Sequence, residues 1–199
     1  MAELTSGSVL DVGCGTKPYQ SLFNENVRYV CADLSKVSQA DLIIEKNKIP
    51  AADCSFDAVT CFQVLEHVEN PDMTLHEIKR CARSGGLICL SVPFIYQQHG
   101  SPGDYRRFTF NEIRGLLAED CHIILLKSEG GFGTSVVTFI IHWKELMTSR
   151  TLFLRGAKVL AFPIYFGLIA ILNLIALAFD RIDKTDDFHT NIFVIAKKL

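Results

Sequence analysis

The stretch "SVLDVGCGTKPY", residues 8–19, decides the fold. Its apolar first half predicts a buried β-strand over 8–12 that runs directly into a turn built on Gly13 and Gly15. Glycines at such a turn permit a tight bend and let a ligand approach the backbone closely. The pattern therefore indicates a nucleotide-binding turn at the end of a strand.

Short apolar runs alternate with helical patterns along the rest of the chain. Six more strands are predicted, at 28–33, 40–44, 56–62, 86–93, 121–128 and 190–198. Strands that alternate with helices are typical of an α/β protein with a doubly wound, mostly parallel sheet. The predicted fold class is therefore α/β and Rossmann-like, with a seven-stranded sheet.

Helix boundaries are predicted in three places. The Asn-Pro pair at 70–71 indicates an N-cap and a first helical residue, and the glycine pair at 85–86 is expected to end that helix. Thr109 and Glu112 form a capping box, which predicts a second helix that begins after Thr109 and runs through Leu117. A further helix is expected to begin near Pro18, directly after the glycine turn.

Composition limits the classes of protein and partner. A length of 199 residues suits one domain with a full core, 1–199. The formal net charge of −2 argues against nucleic acid as a partner. Seven scattered cysteines without a C-x-x-C pair favour reduced core cysteines over a disulfide or zinc framework, and no cluster has metal-ligand spacing. With no signal peptide pattern at the start, we expect a cytoplasmic protein.

The acidic residues around the turn narrow the choice of cofactor. Asp33 ends the second strand ~20 residues after the turn, where a carboxylate can accept hydrogen bonds from a ribose. An NAD-dependent oxidoreductase is disfavoured, because the third glycine of G-x-G-x-x-G would fall on Pro18. Asp11, two residues before Gly13, would repel a pyrophosphate and suits a ligand with a cationic amino group.

Five segments follow one another between residues 8 and 128: "VLDVGCGT", "YVCADLS", "IPAADCSFDAV", "FQVLEHVENP" and "CARSGGLICLSVP". Together they resemble the successive motifs of the class I S-adenosylmethionine-dependent methyltransferases, particularly the methyltransferase type 11 group. The resemblance implies S-adenosyl-L-methionine as the cofactor and methyl transfer as the activity. It also implies that the last strand of the sheet is antiparallel.

The resemblance also implies where the cofactor binds. The glycine turn with Asp11 would line the methionine part, Asp33 would hold the ribose, Glu45 would lie near the adenine, and 61–63 would border the methyl group. The full predicted cofactor set is Asp11, Gly13, Cys14, Gly15, Asp33, Leu34, Glu45, Cys61, Phe62 and Gln63. Lys17, on the rim of the turn, is expected to be a solvated residue.

Candidate catalytic and acceptor-binding residues follow strands four and five, where open α/β sheets place ligands. A hydroxyl acceptor needs a general base, and the candidate segments are Glu66 with His67 in "LEHV", where His67 is the candidate base, and the segment around His99. His99 stands in "PFIYQQHGSPGDYRRFT", 93–109, which resembles a segment of methyltransferases associated with glycan and cell-surface biosynthesis. The predicted acceptor-binding residues there are Tyr96, Asp104, Tyr105 and Arg106. In the alternative interpretation, Asp104 pairs with an arginine and holds the shape of the loop.

An uncharged run of 21 residues, 159–179, lies near the end of the chain. As a helix it would be ~30 Å long, enough to cross a bilayer. A single crossing would separate the last strand from its sheet, so the run and the apolar segment 135–147 are expected to form a helical insertion over 134–180. Three roles stay open for it: a cap on the active site, a homodimer interface, or contact with a membrane surface.

Two function classes therefore remain. The first is a methyltransferase that acts on a small-molecule, glycan or lipid-linked acceptor, in the cytoplasm or associated with a membrane. The second is a catalytically silent Rossmann-like domain that docks to a membrane or a protein partner. Fold and cofactor site do not determine the acceptor.

Overall fold

The computed structural model describes residues 6–34, 39–100, 103–149 and 162–199. The strands are β1 (Gly7–Val12), β2 (Val27–Asp33), β3 (Leu42–Ile43), β4 (Phe56–Phe62), β5 (Ala82–Pro93), β6 (Cys121–Glu129) and β7 (Asn191–Lys198). The helices are α1 (Pro71–Cys81), α2 (Phe110–Leu117), α3 (Phe132–Ser149) and α4 (Phe162–Ile182), with short 3-10 turns at Gln20–Leu22 and Leu65–His67. The sequence-based prediction of an α/β chain is confirmed.

The seven strands form one sheet in the order β3-β2-β1-β4-β5-β7-β6. The pairs β1–β2, β1–β4, β2–β3 and β4–β5 are parallel, and the last strand is antiparallel as expected. Val12 at the end of β1 is in register with Ala32 of β2 and Cys61 of β4. The carboxyl ends of these three strands therefore meet at one edge of the sheet.

Two helix starts follow the capping chemistry of the sequence. The Asn70 side chain accepts a hydrogen bond from the Met73 amide at 3.2 Å, and α1 begins at Pro71. The Thr109 hydroxyl accepts one from the Glu112 amide at 3.2 Å, and α2 begins directly afterwards. Both predicted N-caps are confirmed, because each satisfies an amide that the first turn leaves without a partner.

The helix expected near Pro18 is wrong: a single 3-10 turn at Gln20–Leu22 stands there. The backbone of Lys17 lies in the left-handed region with φ 58°, which a right-handed helix cannot include. Since β2 begins at Val27, the few residues between Pro18 and this strand are too few to repay helix nucleation.

The expected end of α1 at the glycine pair is also wrong. The helix ends at Cys81, and Ala82 is already extended, with φ −68° and ψ 135°. Phe56 pairs with Ala82 but Ala58 pairs with Leu87, so the register of β5 shifts over the glycines. The pair 85–86 therefore belongs to an irregularity inside the strand, a common use of glycine.

Two cysteines lie side by side at the glycine turn. Cys14 follows β1 and lies against Cys31 of the neighbouring β2, with their Cα atoms 5.7 Å apart. This separation lies within the range that a disulfide requires. The free cysteines are Cys54, Cys61, Cys81, Cys89 and Cys121, and all of these except Cys54 are buried.

The chain divides into two compact units. The sheet unit comprises residues 1–93, 100–127 and 192–199, and the helical unit comprises residues 94–99 and 128–191. The predicted insertion over 134–180 belongs to the helical unit, and its residues 150–161 lie outside the described residues. The assignment of the whole chain as one methyltransferase domain stays a prediction.

Within the helical unit, α3 packs against α4 at a seam of small residues. A side chain at Gly133 would collide with the backbone of Ala176, so the glycine permits the close approach of the two helices. Asp180 of α4 accepts a hydrogen bond from the Thr134 amide at 3.0 Å and another from its hydroxyl. This carboxylate caps the first turn of α3 and ties the two helices together.

Large apolar side chains of both helices are exposed: Phe132, Val136, Phe139, Ile140, Trp143, Leu146 and Met147 on α3, and Ile164, Phe166, Leu168, Ile171, Leu174, Ile175, Leu177, Phe179 and Ile182 on α4. Over the described ranges, no helix combines the length and the apolar character needed to cross a bilayer. Ala176, which approaches Gly133 of α3, is the one buried residue among the described side chains of α4.

Candidate functional site

A cavity of about 250 Å³ lies in the sheet unit at the carboxyl ends of β1, β2 and β4. Its lining residues are Val12, Gly13, Asp33, Leu34, Ile44, Asn47, Ile49, Gln63, Val64, His67, Val68, Thr74 and Glu77. Five predicted site residues are therefore in its wall: Gly13, Asp33, Leu34, Gln63 and His67. The location agrees with the general rule that open parallel sheets bind ligands at this edge.

The glycine turn leaves room for a ligand. Gly13 has φ +74°, and a side chain there would collide with Val64 across the turn. Its amide donates a hydrogen bond to the Ala32 carbonyl at 2.8 Å, which fixes the turn to β2. Gly15 has φ +52°, and a Cβ atom there would meet nothing within 4 Å. The backbone is thus held on one side and open on the other.

Asp33 links the end of β2 to the turn. One carboxylate oxygen accepts a hydrogen bond from the Gly15 amide at 2.8 Å, and the other accepts one from the Leu34 amide at 2.7 Å. A carboxylate offers about four acceptor positions, so each oxygen can accept a further bond. The carboxylate is therefore oriented for a ligand with two hydroxyl groups, such as a ribose.

Asp11 lies behind the turn and is not in the wall of this cavity. Its side chain is buried, and it accepts hydrogen bonds from the Thr60 hydroxyl at 2.8 Å and from the Tyr29 hydroxyl. Burial raises the pKa of this carboxyl group, and the two hydrogen bonds oppose that rise. The structure thus places Asp11 in a polar network of the core beside the turn.

The end of β4 shows a local strain. Gln63 lies in the left-handed region with φ 55°, and its amide side chain donates to the Ser91 hydroxyl at 2.9 Å. Phe62 packs edge-on against Tyr19, with ring centroids 5.1 Å apart, and Cys61 is fully buried. Burial raises the pKa of the Cys61 thiol, which suits core packing better than reactivity. Unfavourable backbone angles are often found at ligand sites.

Glu45 was expected to lie near the adenine, but it is not among the residues that line the cavity after β3. Glu45 is exposed in a tight turn that it closes with Lys48, while Ile44, Asn47 and Ile49 line the cavity. The sequence offered one signal for this turn, because asparagine tolerates the left-handed conformation that Asn47 adopts, with φ 62°. The residues of this wall were missed because their contacts come from the loop's tertiary position.

The two acceptor segments predicted from the sequence meet in the sheet unit. The ring nitrogen Nδ1 of His67 lies 2.5 Å from the Gly103 carbonyl oxygen, so Nδ1 carries the proton and donates it. The Tyr105 amide donates to the Glu66 carbonyl at 2.8 Å. Segment 66–69 after β4 and segment 103–107 are therefore bound to each other, and His67 reaches the cavity from this junction.

The charged residues of this junction have separate partners. Both guanidinium nitrogens Nη1 and Nη2 of Arg107 bind the Asp104 carboxylate, at 2.6 and 2.9 Å, which holds the shape of the loop. Arg106 donates through Nη2 to the Glu69 carbonyl at 2.8 Å, while its buried Nη1 has no hydrogen-bond partner among the described residues. Tyr105 is 48% exposed.

The sequence singled out Glu66 together with His67 after the fourth strand, but no sequence pattern indicated that Glu66 would be buried. Its side chain is fully buried, and neither carboxylate oxygen has a hydrogen-bond partner in the described part of the chain. Burial raises the pKa of this group, and one oxygen lies 3.8 Å from Nε2 of His67. A buried carboxyl group beside a histidine is typical of sites that handle protons.

The other two predicted residues belong to the helical unit. Tyr96 packs edge-on against His99 at 5.2 Å and against His142 at 5.5 Å between ring centroids. The Tyr96 hydroxyl lies 3.5 Å from Nε2 of His142, whose Nδ1 donates to the Thr138 carbonyl at 2.9 Å. His142 was missed from the sequence because it stands in an apolar helical pattern.

The donor set of the cavity fits S-adenosyl-L-methionine. Asp33 offers carboxylate acceptors for the ribose, the open side of Gly15 admits the ligand to the backbone, and Ile44 with Ile49 offers apolar surface for the adenine. A pyrophosphate would favour lysine or arginine side chains in the wall of its site. No described lysine or arginine lines this cavity.

Comparisons with known proteins show which family the chain belongs to. Residues 2–123 match a family described as a methyltransferase domain. A ubiquinone biosynthesis O-methyltransferase from Azoarcus sp. (strain BH72) is 31% identical over 109 residues, a match that covers 45% of this chain and 45% of the relative. The chain thus matches less than half of that relative's length.

Solved structures show the same fold. A putative methyltransferase from Bacillus halodurans C-125 has a TM-score of 0.57 at 16% identity, covering 98% of this chain and 94% of that one. Phosphoethanolamine N-methyltransferase 2 of Haemonchus contortus, in complex with S-adenosyl-L-methionine, has a TM-score of 0.56 at 17% identity, covering 98% of this chain and 49% of that one. With its motifs, its sheet and the family match over residues 2–123, the chain belongs to the class I S-adenosylmethionine-dependent methyltransferases.

Proposed function

We propose that this protein transfers a methyl group from S-adenosyl-L-methionine to a hydroxyl group of a lipid-linked acceptor. The observation that carries the choice of acceptor is the apolar exposure of α3 and α4. Trp143 of α3 is 65% exposed and Leu174 of α4 is 66% exposed. A protein rarely leaves this much apolar side chain in water unless another surface covers it.

The distribution of exposed residues favours a lipid phase over a flat protein partner. Successive residues of a helix point about 100° apart. Leu174, Ile175 and Leu177 therefore point in three different directions, yet they are 66%, 45% and 55% exposed. A flat partner surface covers one face of a helix, whereas the deformable headgroup and acyl region of a membrane surface can receive side chains that point in different directions. We therefore favour peripheral membrane contact over the homodimer.

The choice of oxygen as the acceptor atom draws on the relatives. The Azoarcus relative is named as an O-methyltransferase, and its match reaches 31% identity. We extend O-directed transfer to this chain, together with an acceptor that partitions into membranes. A free glycan is less favoured, because it would make no use of the apolar helices.

The chain's own residues would align the acceptor and accept its proton. S-adenosyl-L-methionine, when bound, supplies an electrophilic methyl group on a sulfonium. Asp33 and the glycine turn would hold its ribose and methionine parts, and the strained Gln63 would border the methyl group. His67 would take the hydroxyl proton on Nε2, since Nδ1 already donates to Gly103.

Glu66 would stabilise the imidazolium that this proton transfer creates. Its carboxylate oxygen lies 3.8 Å from Nε2 of His67 in a buried environment, where opposite charges interact strongly. His99 is the second candidate base, and it belongs to the helical unit with Tyr96. We propose Tyr105 and Arg106 as acceptor contacts, while Asp104 shapes the loop through its ion pair with Arg107.

A transfer assay with methyl-labelled S-adenosyl-L-methionine tests the proposal. The protein is incubated with a total membrane lipid extract, or with an aqueous metabolite extract, and the label is followed into each phase. We expect label in the organic phase and flotation of the protein with liposomes. Label confined to aqueous products would contradict the lipid-linked acceptor. If the protein floats with liposomes and binds the cofactor but transfers no methyl group to a component of either extract, the catalytically silent docking module would be favoured.

A further inference from the structure

One ion pair outside the glycine turn holds the far wall of the cofactor cavity. Ile49 lines this wall and is 2% exposed. Its amide donates a hydrogen bond to the Glu77 carboxylate at 2.9 Å, and its carbonyl accepts one from Nη2 of Arg80 at 2.9 Å. Both backbone polar groups of this single loop residue are thus bound by two charged side chains of α1.

The Arg80 guanidinium also binds the residues that follow Ile49 in the loop before β4. It forms two hydrogen bonds to the Glu77 carboxylate, both 2.8 Å long. Its Nη1 donates to the Ala51 carbonyl at 2.7 Å and to the Asp53 carboxylate at 2.6 Å. A planar guanidinium can make this set of bonds at once, whereas a lysine ammonium cannot. The loop from Ile49 to Asp53 is therefore fastened to one point of α1.

The neighbouring turn needs such an anchor. Lys46 and Asn47 both have left-handed backbone angles, with φ 48° and 62°, and neither is glycine. Such angles cost free energy and persist only where the surrounding structure imposes them. Asn47 stands in the cavity wall two residues before Ile49. Fixing Ile49 therefore also limits where Asn47 can lie.

The helix itself has little need of this ion pair. Its start is capped by Asn70 with Pro71, and Leu75 and Ile78 bury it against the sheet unit's core. The hydrogen bonds to Arg80 hold the pKa of Glu77 below its usual range, so the pair stays charged at neutral pH. The hydrogen bonds from Glu77 and Arg80 to Ile49 therefore serve the cavity wall more than they serve the helix.

We infer that Glu77 and Arg80 are positioning residues for the cofactor, and that they set the wall which receives its adenine end. Neither residue needs to touch the reacting atoms: Arg80 acts through the backbone of Ile49, and Glu77 holds the same backbone while also lining the cavity. The inference rests on the proposed binding of S-adenosyl-L-methionine at this cavity. It predicts an effect on cofactor affinity rather than on the chemical step.

The test compares Arg80→Met, Arg80→Lys and a matched control, Lys79→Gln. Lys79 is the adjacent residue on α1, and its bond to Asp120 at 3.2 Å lies away from this wall. Calorimetry should show that Arg80→Met weakens S-adenosyl-L-methionine binding about tenfold, since hydrogen bonds to charged groups are lost. Arg80→Lys should lie between Arg80→Met and the wild type, and Lys79→Gln should stay within about twofold of the wild type.

Two further readouts separate positioning from a general loss of structure. In the transfer assay, KM for the cofactor should rise in Arg80→Met while kcat at saturating cofactor stays unchanged. In Glu77→Gln, which keeps the side-chain volume, the Ile49 amide should exchange its hydrogen faster than in the wild type. If Arg80→Met does not fold, the affinity of Glu77→Gln for the cofactor decides in its place.

The outcomes are distinguishable. If the wild type binds S-adenosyl-L-methionine and Arg80→Met binds it equally well, the positioning role is wrong while the proposed function stands. An unchanged cofactor KM with a lower kcat would overturn it as well. If the wild type binds no S-adenosyl-L-methionine, the inference and the proposed function are both wrong.

Discussion

The sheet unit and the helical unit treat apolar side chains in opposite ways. In the sheet unit, Val9, Leu10 and Val59 are fully buried between parallel strands and their covering elements. In the helical unit, Ile164 of α4 is 72% exposed and Leu174 is 66% exposed. The sheet unit buries its apolar residues within itself, whereas the described residues of the helical unit leave many of theirs exposed. This difference is the reason that we propose membrane contact for the helical unit and not for the sheet unit.

The largest expected effect is a loss of kcat, and it decides whether the general base belongs to the sheet unit or to the helical unit. His67→Asn retains a donor for the Gly103 carbonyl but loses the basic Nε2, so kcat should fall about 100-fold or more. His99→Asn, in the helical unit, should change kcat much less. Steady-state kinetics with both variants at saturating cofactor is the measurement. The reverse order of effects would move the base to the helical unit.

The next effect asks whether the sheet unit binds the cofactor through Asp33. Asp33→Asn removes the charged acceptor that the Gly15 amide orients, so affinity for S-adenosyl-L-methionine should fall roughly 10- to 100-fold. Calorimetry measures it. Asp41→Asn is the control, because this nearby carboxylate binds Lys17 and is not in the cavity wall. Equal losses in both variants would contradict the role of Asp33.

A third experiment tests whether the exposed residues of the helical unit are special. Leu174→Glu should reduce the fraction of protein that floats with anionic liposomes about tenfold, because a charge is costly to place in lipid. Leu22→Glu alters a residue of the sheet unit with nearly the same exposure, 68%, and should have little effect. Similar losses in the two variants would show that membrane contact is not a property of the helical unit.

Acid should remove a contribution that the Glu77–Arg80 pair makes to the sheet unit. The pKa of Glu77 is held below its usual range by Arg80, so this stabilisation is complete above the ordinary glutamate pKa. It is lost as the pH falls through the lowered pKa of the folded state. Arg80→Met should therefore be less stable than the wild type by about 1 kcal/mol at pH 7. Urea unfolding should show that this difference shrinks towards pH 3.

The smallest effect concerns a helix start in the sheet unit. Thr109→Ala removes the acceptor of the Glu112 amide and should lower the free energy of unfolding by between about 0.5 and 1 kcal/mol. Thr109→Ser keeps a hydroxyl at this position and should restore most of it. Urea denaturation of the three proteins is sufficient. An unchanged urea midpoint in Thr109→Ala would mean that the N-cap does not contribute to the free energy of unfolding.

Several parts of the fold and site were predictable because their signals are local. The alternation of strands and helices, the N-caps at Asn70 and Thr109, and the glycine turn each depend on a few neighbouring residues. Asp33 was also predictable, because the end of the second strand lies beside the turn in any sheet of this order. The helical end expected at 85–86 was wrong, since glycine marks a strand irregularity as well as a helix end.

Other features depended on distant contacts. Lys17 was expected to be a solvated rim residue, yet its ammonium binds both oxygens of Asp41 at 2.9 Å. Glu66 gave no signal beyond its place before His67, and only packing shows that it is fully buried. The meeting of segments 66–69 and 103–107 likewise joins residues that are far apart in sequence.

The sequence by itself determined the fold class, the family and the position of the glycine turn, because strand periodicity, glycine and capping chemistry act over short spans. The tertiary structure decided which residues surround that turn and which surface stays uncovered. Ile49 is held by Glu77 and Arg80, about 30 residues later, only because the chain folds α1 back over the loop. In the same way, Leu174 is exposed because no described element of its unit covers that side of α4. Burial and long-range pairing are properties of the whole chain, and no local pattern encodes them.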